Sequence, residues 1–222
     1  MSVIDLIAGG LVVSCQAPRD SPLREPALIA QIARAAELGG AVGLRVNGPE
    51  DIAAVAAVTS SPIIGLHKVV GARREVITPE FELAVALLAA GATIVAIELT
   101  RETVGDDLGL LGQVRDLGAP VMADISTLDE GLRAWDAGAD VVGTTLSGYT
   151  ADTLSASDEP DLELVERLAA RGVCVIAEGR YRTPAAVRAA FDAGAHAVVV
   201  GGAITDPMSS TQRFAAAARV RS

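Results

Sequence analysis

Cysteine occurs only twice in this chain, at Cys15 and Cys174, with no CxxC pair and no metal-ligand spacing. A disulfide framework, a thiol-redox motif and a metal centre are therefore not expected. Aromatic residues make up 3% of the sequence, so any core has to be built from Ala, Val, Leu and Ile. Basic residues are outnumbered, 18 against 28 acidic, for a formal net charge of −10. That balance argues against nucleic acid and anionic membrane surfaces as partners, while leaving room for an anionic small molecule at a locally positive site. The uncharged, strongly apolar run Leu83 to Ile97 is too short to span a membrane and is interrupted at Gly91-Ala92. Met1 to Gly10 lacks a basic stretch and contains Asp5, so the expected setting is reducing and cytoplasmic rather than secreted. Lysine occurs once, at Lys68; the other 17 basic residues are arginine. A desolvated lysine can lose its proton near neutral pH, whereas arginine stays charged. Lys68 follows the apolar run Pro62–Leu66, which makes it the first candidate for chemistry.

Half of the 222 residues are hydrophobic, enough for a sizeable core. They recur in one unit: a short Val/Ile-rich run, a polar loop, an alanine-rich helix, and often a closing glycine. The expected strands are Leu11–Cys15, Ala41–Arg45, Pro62–Leu66, Thr93–Ile97, Pro120–Asp124, Asp140–Thr144, Val173–Ala177 and Ala197–Gly201. The expected helices are Glu25–Leu38, Pro49–Val58, Pro79–Ala90, Asp107–Leu117, Leu128–Ala137, Asp161–Arg171, Pro184–Ala193 and Met208–Val220. Pro49, Pro79 and Pro184 suit a first helical turn. Several strand runs are apolar on both faces, as parallel strands covered by helices are. Eight βα units in this length predict an α/β fold, a single (β/α)8 TIM barrel over residues 1–222; an open doubly wound sheet fits the count less well.

In such a barrel the active residues belong at the C-terminal strand ends. Those ends carry Ser14-Cys15-Gln16, Arg45, Lys68, Glu98, Asp124, Thr144-Thr145, Glu178-Gly179 and Gly201-Gly202. An amine with three carboxylates and a guanidinium suits proton abstraction beside a carbonyl, or a Schiff base. Lys68 is the expected base and Glu178 its partner, although a nearby carboxylate favours the charged lysine and opposes desolvation. Gly179, Gly201 and Gly202 follow the last two strands, where barrels commonly hold a phosphate; tight turn geometry accounts for them equally well. His67, His196 and Trp135 read as structural, and Cys15 as a buried thiol.

The segments Val13-Ser14-Cys15-Gln16-Ala17, Gly39 to Arg45, Ile64 to Lys68, Met122 to Thr127, Val142 to Thr150, Val175 to Arg180 and Gly194 to Thr205 span nearly the whole chain in one order. Together they make the chain resemble the N-acetylmannosamine-6-phosphate 2-epimerases of bacterial sialic-acid catabolism. The resemblance implies interconversion of N-acetylmannosamine 6-phosphate and N-acetylglucosamine 6-phosphate without a cofactor. It places catalytic roles on Lys68 and Glu178 and substrate contacts on Gln16, Arg45 and Asp124, with Ser147 and Tyr149 as further contacts. Phosphate contacts fall on Gly179, Arg180, Gly201 and Gly202. The expected partner is an amino-sugar phosphate, and a homodimer is compatible. One departure stands out: Asp206 lies where the family usually carries a phosphate-holding arginine. Either Arg180 and Arg182 offset that acid, or the substrate is another sugar phosphate or lacks the phosphate. A binding protein without turnover is the remaining alternative.

Overall fold

The computed structural model describes residues 1–155 and 157–218. The chain begins with a short helix α1 (Val3–Leu6), then β1 (Leu11–Cys15), α2 (Pro26–Leu38), β2 (Gly43–Asn47), α3 (Pro49–Ala56) and β3 (Ile63–Leu66). Next come β4 (Lys68–Val70), β5 (Glu75–Ile77), α4 (Phe81–Ala89), β6 (Ile94–Glu98), α5 (Arg101–Val104), α6 (Gly109–Arg115) and β7 (Val121–Asp124). The remainder is α7 (Leu128–Asp136), β8 (Val141–Gly143), α8 (Leu162–Ala169), β9 (Val175–Ala177), α9 (Pro184–Asp192), β10 (Ala197–Val200), α10 (Gly202–Thr205) and α11 (Pro207–Ala218). Eight parallel strands close into a barrel in the order β1-β10-β9-β8-β7-β6-β3-β2. Closure is between the first and last strands, with Leu11, Val12 and Val13 opposite Val198, Val199 and Val200.

Every predicted strand and helix is present, with ends shifted by a few residues. Pro26, Pro49 and Pro184 open helices, where the missing N–H costs nothing. Pro79 does not; α4 begins two residues later at Phe81. The predicted Met208–Val220 helix starts at Pro207, and Arg219 and Val220 lie outside the described residues. The antiparallel hairpin β4–β5, with Lys68 opposite Ile77, was not anticipated. Its strands are three residues each, too short for alternation to reveal.

Side-chain alternation divides the core in two. Val12, Ile64, Leu66, Ile94, Met122, Ile176 and Val199 fill the barrel interior. Residues of the opposite parity on each strand, such as Val13, Leu44, Val95, Ala123 and Val175, form the layer under the helices. The bottom of the barrel is plugged by Ile7, which is fully buried. Gly43 makes room for it: a Cβ there would lie 2.9 Å from Ile7 Cγ2. His196 Nε2 lies 3.0 Å from the Ile4 carbonyl, so this histidine ties α1 to the barrel, the structural role expected of it. Among the described residues no helix is long and apolar enough to cross a membrane.

Candidate active site

The interior alternation continues into the face at the C-terminal ends of the strands. Beyond Val12 it reaches Ser14 and Gln16; beyond Leu66, Lys68; beyond Ala96, Glu98; beyond Met122, Asp124; beyond Val141, Gly143 and Thr145; beyond Ile176, Glu178. On β2 it passes through Gly43, Arg45 and Asn47. The same parity that packs the interior therefore aims the polar groups into one mouth.

Arg45 is the centre of the arrangement. It is 1% exposed. Its Nη2 donates to Asp124 Oδ2 at 2.6 Å and its Nη1 to Asp124 Oδ1 at 3.1 Å, a two-pronged pair. Nη1 also lies 2.7 Å from Glu178 Oε2. Burial alone would lower the Arg45 pKa, and the Asp124 and Glu178 carboxylates more than reverse it. Thr145 Oγ1 sits between the acids, 2.6 Å from Asp124 Oδ1 and 3.3 Å from Glu178 Oε2. The Thr144 hydroxyl, on the other side of the strand, holds the Glu178 backbone through its C=O and N–H at 2.9 and 3.1 Å. Arg45 and Asp124 thus lie beneath the cavity floor, and Glu178, 15% exposed at its side chain, stands above them.

Lys68 lines the cavity beside Glu178. Its backbone N–H donates to Asn47 Oδ1 at 2.8 Å, which fixes the first residue of the hairpin against β2. Among the described residues its amine makes no ion pair within 4.0 Å. Burial pushes the Lys68 pKa down, opposed by Glu75 and, further off, Glu178 and Asp124, while Arg45 adds to the depression. Burial likewise pushes Glu178 up, opposed by Arg45 and assisted by the Asp124 charge. At the Lys68 amine desolvation outweighs the pull of the carboxylates, which Arg45 partly answers. Burial thus disfavours charge on both the Lys68 amine and the Glu178 carboxyl, which line one cavity.

Glu98, expected as a third carboxylate of the ring, does not serve the cavity. Arg74 from the hairpin grips it with Nη1 to Oε2 at 3.0 Å and Nη2 to Oε1 at 2.5 Å. Thr100 and Thr103 donate to it as well. Burial opposes its charge, and these donors overcome that, holding the carboxyl below its ordinary range. Glu98 anchors the hairpin that carries Lys68. The same hairpin brings Glu75 to the mouth, 3.8 Å from Arg19.

The mouth has two lobes that meet at Ser14, Lys68, Glu178, Gly201 and Gly202. One, about 500 Å³, reaches Gln16, Arg24 and Asp206; the other, about 360 Å³, reaches Tyr149, Gly179, Arg180, Arg182 and Arg213. These sizes suit a small metabolite. Gln16 Nε2 donates to Ser14 Oγ at 2.9 Å, and its buried Oε1 has no partner. Gly179 has φ +108°, a conformation that favours glycine. Gly202 and Ala203 provide first-turn amides of α10. Arg180, also left-handed at φ 62°, turns toward the loop after β8: Nε donates to Glu159 O and Nη1 to Ser147 O, both at 2.7 Å, and its guanidinium lies 5.4 Å from the Tyr149 ring centre. Arg182 pairs with Asp158 at 2.8 Å. Ser147 is not brought to the cavity; it is 5% exposed and donates to Asp161 Oδ2. Asp206 Oδ1 accepts the Ser209 N–H at 3.1 Å, starting α11, and lies in the Gln16 lobe rather than the Arg213 lobe. His67 points away from the interior set, and Cys15, with its pKa pushed up to about 12 by burial, is buried under the helices.

Asn47, Arg74, Glu75 and Arg213 were missing from the sequence-based site, and Thr145 was placed at a strand end without a role. Asn47 and Thr145 lie on the inward parity of their strands and were open to that reasoning. Arg74, Glu75 and Arg213 depend on the hairpin and on the placement of α11, which no local pattern signals.

A family model described as "Putative N-acetylmannosamine-6-phosphate epimerase" matches residues 29–220. A Cutibacterium acnes protein named "Putative N-acetylmannosamine-6-phosphate 2-epimerase" is 46% identical over 224 residues, covering 98% of this chain and 97% of the relative. A Klebsiella pneumoniae protein of the same name is 49% identical over 204 residues, covering 89% and 84%. Among solved structures, the N-acetylmannosamine-6-phosphate 2-epimerase from Clostridium perfringens superposes with a TM-score of 0.91 at 39% identity, covering 98% of this chain and 96% of that one.

Proposed function

The chain belongs to the N-acetylmannosamine-6-phosphate 2-epimerase family, and on that premise we propose that it interconverts N-acetylmannosamine 6-phosphate and N-acetylglucosamine 6-phosphate by moving the proton at C2. The observation that carries this reading is that the Lys68 amine, without an ion pair among the described residues, and the Glu178 carboxyl line one cavity, where burial disfavours charge on both. In the ring-opened sugar, C2 adjoins the C1 aldehyde, which acidifies its proton. The neutral Lys68 amine takes that proton. The C2–H electron pair becomes the C1=C2 bond, and the C1 oxygen receives the proton of Glu178. Rotation about the C2–C3 bond then turns the other face of the planar C2 to the Lys68 ammonium, which returns a proton to C2 while Glu178 takes back the proton of the C1 oxygen; both groups are restored and the epimer is released. Gln16 offers its unpartnered Oε1 to a sugar N–H or hydroxyl. Arg45 and Asp124 act from beneath, holding Glu178 in place rather than gripping the sugar. Tyr149 lines the rim of the Gly179 lobe.

The 6-phosphate belongs in that lobe, against the amides around Gly179, Gly201 and Gly202, with Arg180 and Arg213 nearby. The carboxylate of Asp206 faces the other lobe and is engaged as a helix cap. Activity on N-acetylmannosamine with and without the 6-phosphate tests this reading. We expect kcat/KM to fall at least a hundredfold without the phosphate, since several charge-assisted hydrogen bonds of about 1.5–3 kcal/mol each are lost. Arg213→Ala should narrow that ratio by raising KM for the phosphorylated sugar roughly tenfold. Equal activity on both sugars overturns the phosphate assignment; no activity on either overturns the reaction.

A homodimer is part of this reading. Helix α11 buries none of its described residues and presents Phe214, 78% exposed, an apolar face suited to a second copy. A reducing cytoplasmic setting also fits, since Cys15 and Cys174 are free thiols.

A further inference from the structure

Among the described residues only Thr78 and Arg180 combine a side chain with a left-handed backbone, Thr78 at φ 46°. For Thr78 the conformation is doubly disfavoured. Its side chain is β-branched, and Pro79 follows it, which steers a residue toward extended backbone. A glycine would take this turn freely, and the threonine hydroxyl shows why glycine is not there. The hairpin ladder ends with Lys68 opposite Ile77. One rung further, the Thr78 N–H donates to the His67 carbonyl at 2.7 Å. The return bond does not go to the Thr78 carbonyl: the His67 N–H donates to Thr78 Oγ1 at 2.9 Å. The Lys68 N–H, in turn, donates to Asn47 Oδ1. The pairing of β3 with β2 ends at Leu66. Beyond it, the His67–Lys68 peptide is held at its C=O by Thr78 and at its N–H by Asn47. Thr78 is fully buried, and the residue before it is tied to β6, since the Ile77 N–H donates to Glu98 Oε2 at 3.2 Å.

We propose that Thr78 is a positioning residue for the reaction: its turned backbone and its hydroxyl clamp His67, and so fix the peptide from which the Lys68 side chain reaches the cavity. This rests on the epimerase reading, in which Lys68 takes the C2 proton. A lysine amine sits on a long flexible stem. Among the described residues that of Lys68 makes no ion pair to steady it, so its aim comes from the backbone that carries it. Arg74 on Glu98 anchors the turn end of the hairpin; Thr78 acts at the base, beside the lysine. Valine at this position would keep the shape and lose only the hydroxyl. Glycine would relieve the strained turn, but would leave the His67 N–H without its acceptor and the turn free to open.

Lysine occurs once, so protein labelled with ¹³C at the lysine Cε gives the Hε signals of Lys68 alone. In the substrate-free wild type a fixed stem should keep the paired Hε protons inequivalent. Thr78→Val should merge their signals, and Thr78→Gly should do the same; either variant serves if the other fails to fold. Thr78→Ser, which keeps the hydroxyl, should keep the wild-type pattern. In kinetics, the valine and glycine variants should lose kcat by about ten- to a hundredfold, the scale of a misplacement of about an ångström. KM should stay within about twofold, as for an interaction that matters only in the transition state. Thr78→Ser should turn over close to wild type. Hε protons that are equivalent in the wild type or stay inequivalent without the hydroxyl overturn the proposal. So does an unchanged kcat without the hydroxyl, or a serine variant that loses as much as the valine one. A protein whose Hε signals behave as described but which does not epimerise overturns the function alone, so the two failures are distinguishable.

Discussion

Lys68→Gln removes epimerase turnover, by at least about a thousandfold, and leaves the barrel folded. General-base contributions run to roughly 10²–10⁴, and glutamine, with a similar reach, cannot accept the C2 proton. No other lysine exists to take its place. The fold survives because the amine makes no ion pair among the described residues, so no partner is left buried and unpaired. The bond that fixes the hairpin start is the Lys68 backbone N–H to Asn47 Oδ1, which the substitution keeps. Steady-state assays of the purified variant, with a melting curve beside them, check both halves. Residual turnover above a tenth of wild type, or an unfolded variant, contradicts the assignment.

Arg45→Met behaves in the opposite way: the protein itself fails. Removing one partner of a buried ion pair costs about 3–5 kcal/mol, a large part of the roughly 5–15 kcal/mol that stabilises a domain. Arg45 answers two carboxylates, Asp124 and Glu178, so the cost falls at the upper end. For a chain of this size the melting temperature should drop by about 10 °C or more. The pH dependence has a definite sign. Without the guanidinium, the buried acids stay folded only by holding protons, so their folded pKa values rise above the unfolded ones. Such groups favour the fold at low pH, and that contribution is lost as pH rises through the folded values. The variant should therefore regain stability as pH is lowered from 7 toward 5. Arg45→Lys repairs little, because a single ammonium cannot reproduce the two-pronged contact. Denaturant melts of Arg45→Met at pH 7 and pH 5 read the effect; equal stability to wild type at pH 7 contradicts the central role given to Arg45.

The barrel was legible because most of its strands are Val/Ile runs closed by a polar residue, and its helices are often punctuated by proline or glycine. Lys68 was legible as the lone lysine, and Glu178 from its place at the end of Val173–Ala177. What stayed hidden is tertiary. Nothing local says that Lys68-Val69-Val70 folds back on Glu75-Val76-Ile77, so the hairpin and its anchor, Arg74 on Glu98, could not be read. Glu98 accordingly looked like a site carboxylate when it is a fastening for the hairpin. Arg45 looked like a surface for the sugar, whereas its full burial places it under Glu178. Arg180, expected to offset Asp206, ties down the loop after β8, and Arg213 comes into the Gly179 lobe only through the placement of α11.

The central claim is that Lys68 takes the C2 proton, and exchange at C2 in D₂O tests it most directly. An ammonium rotates three hydrogens, so a proton held on Lys68 mixes with solvent deuterium before it returns. The account predicts N-acetylglucosamine 6-phosphate carrying deuterium at C2 from the wild-type protein, and none formed by Lys68→Gln. Epimerised product that retains its original hydrogen at C2 would contradict it.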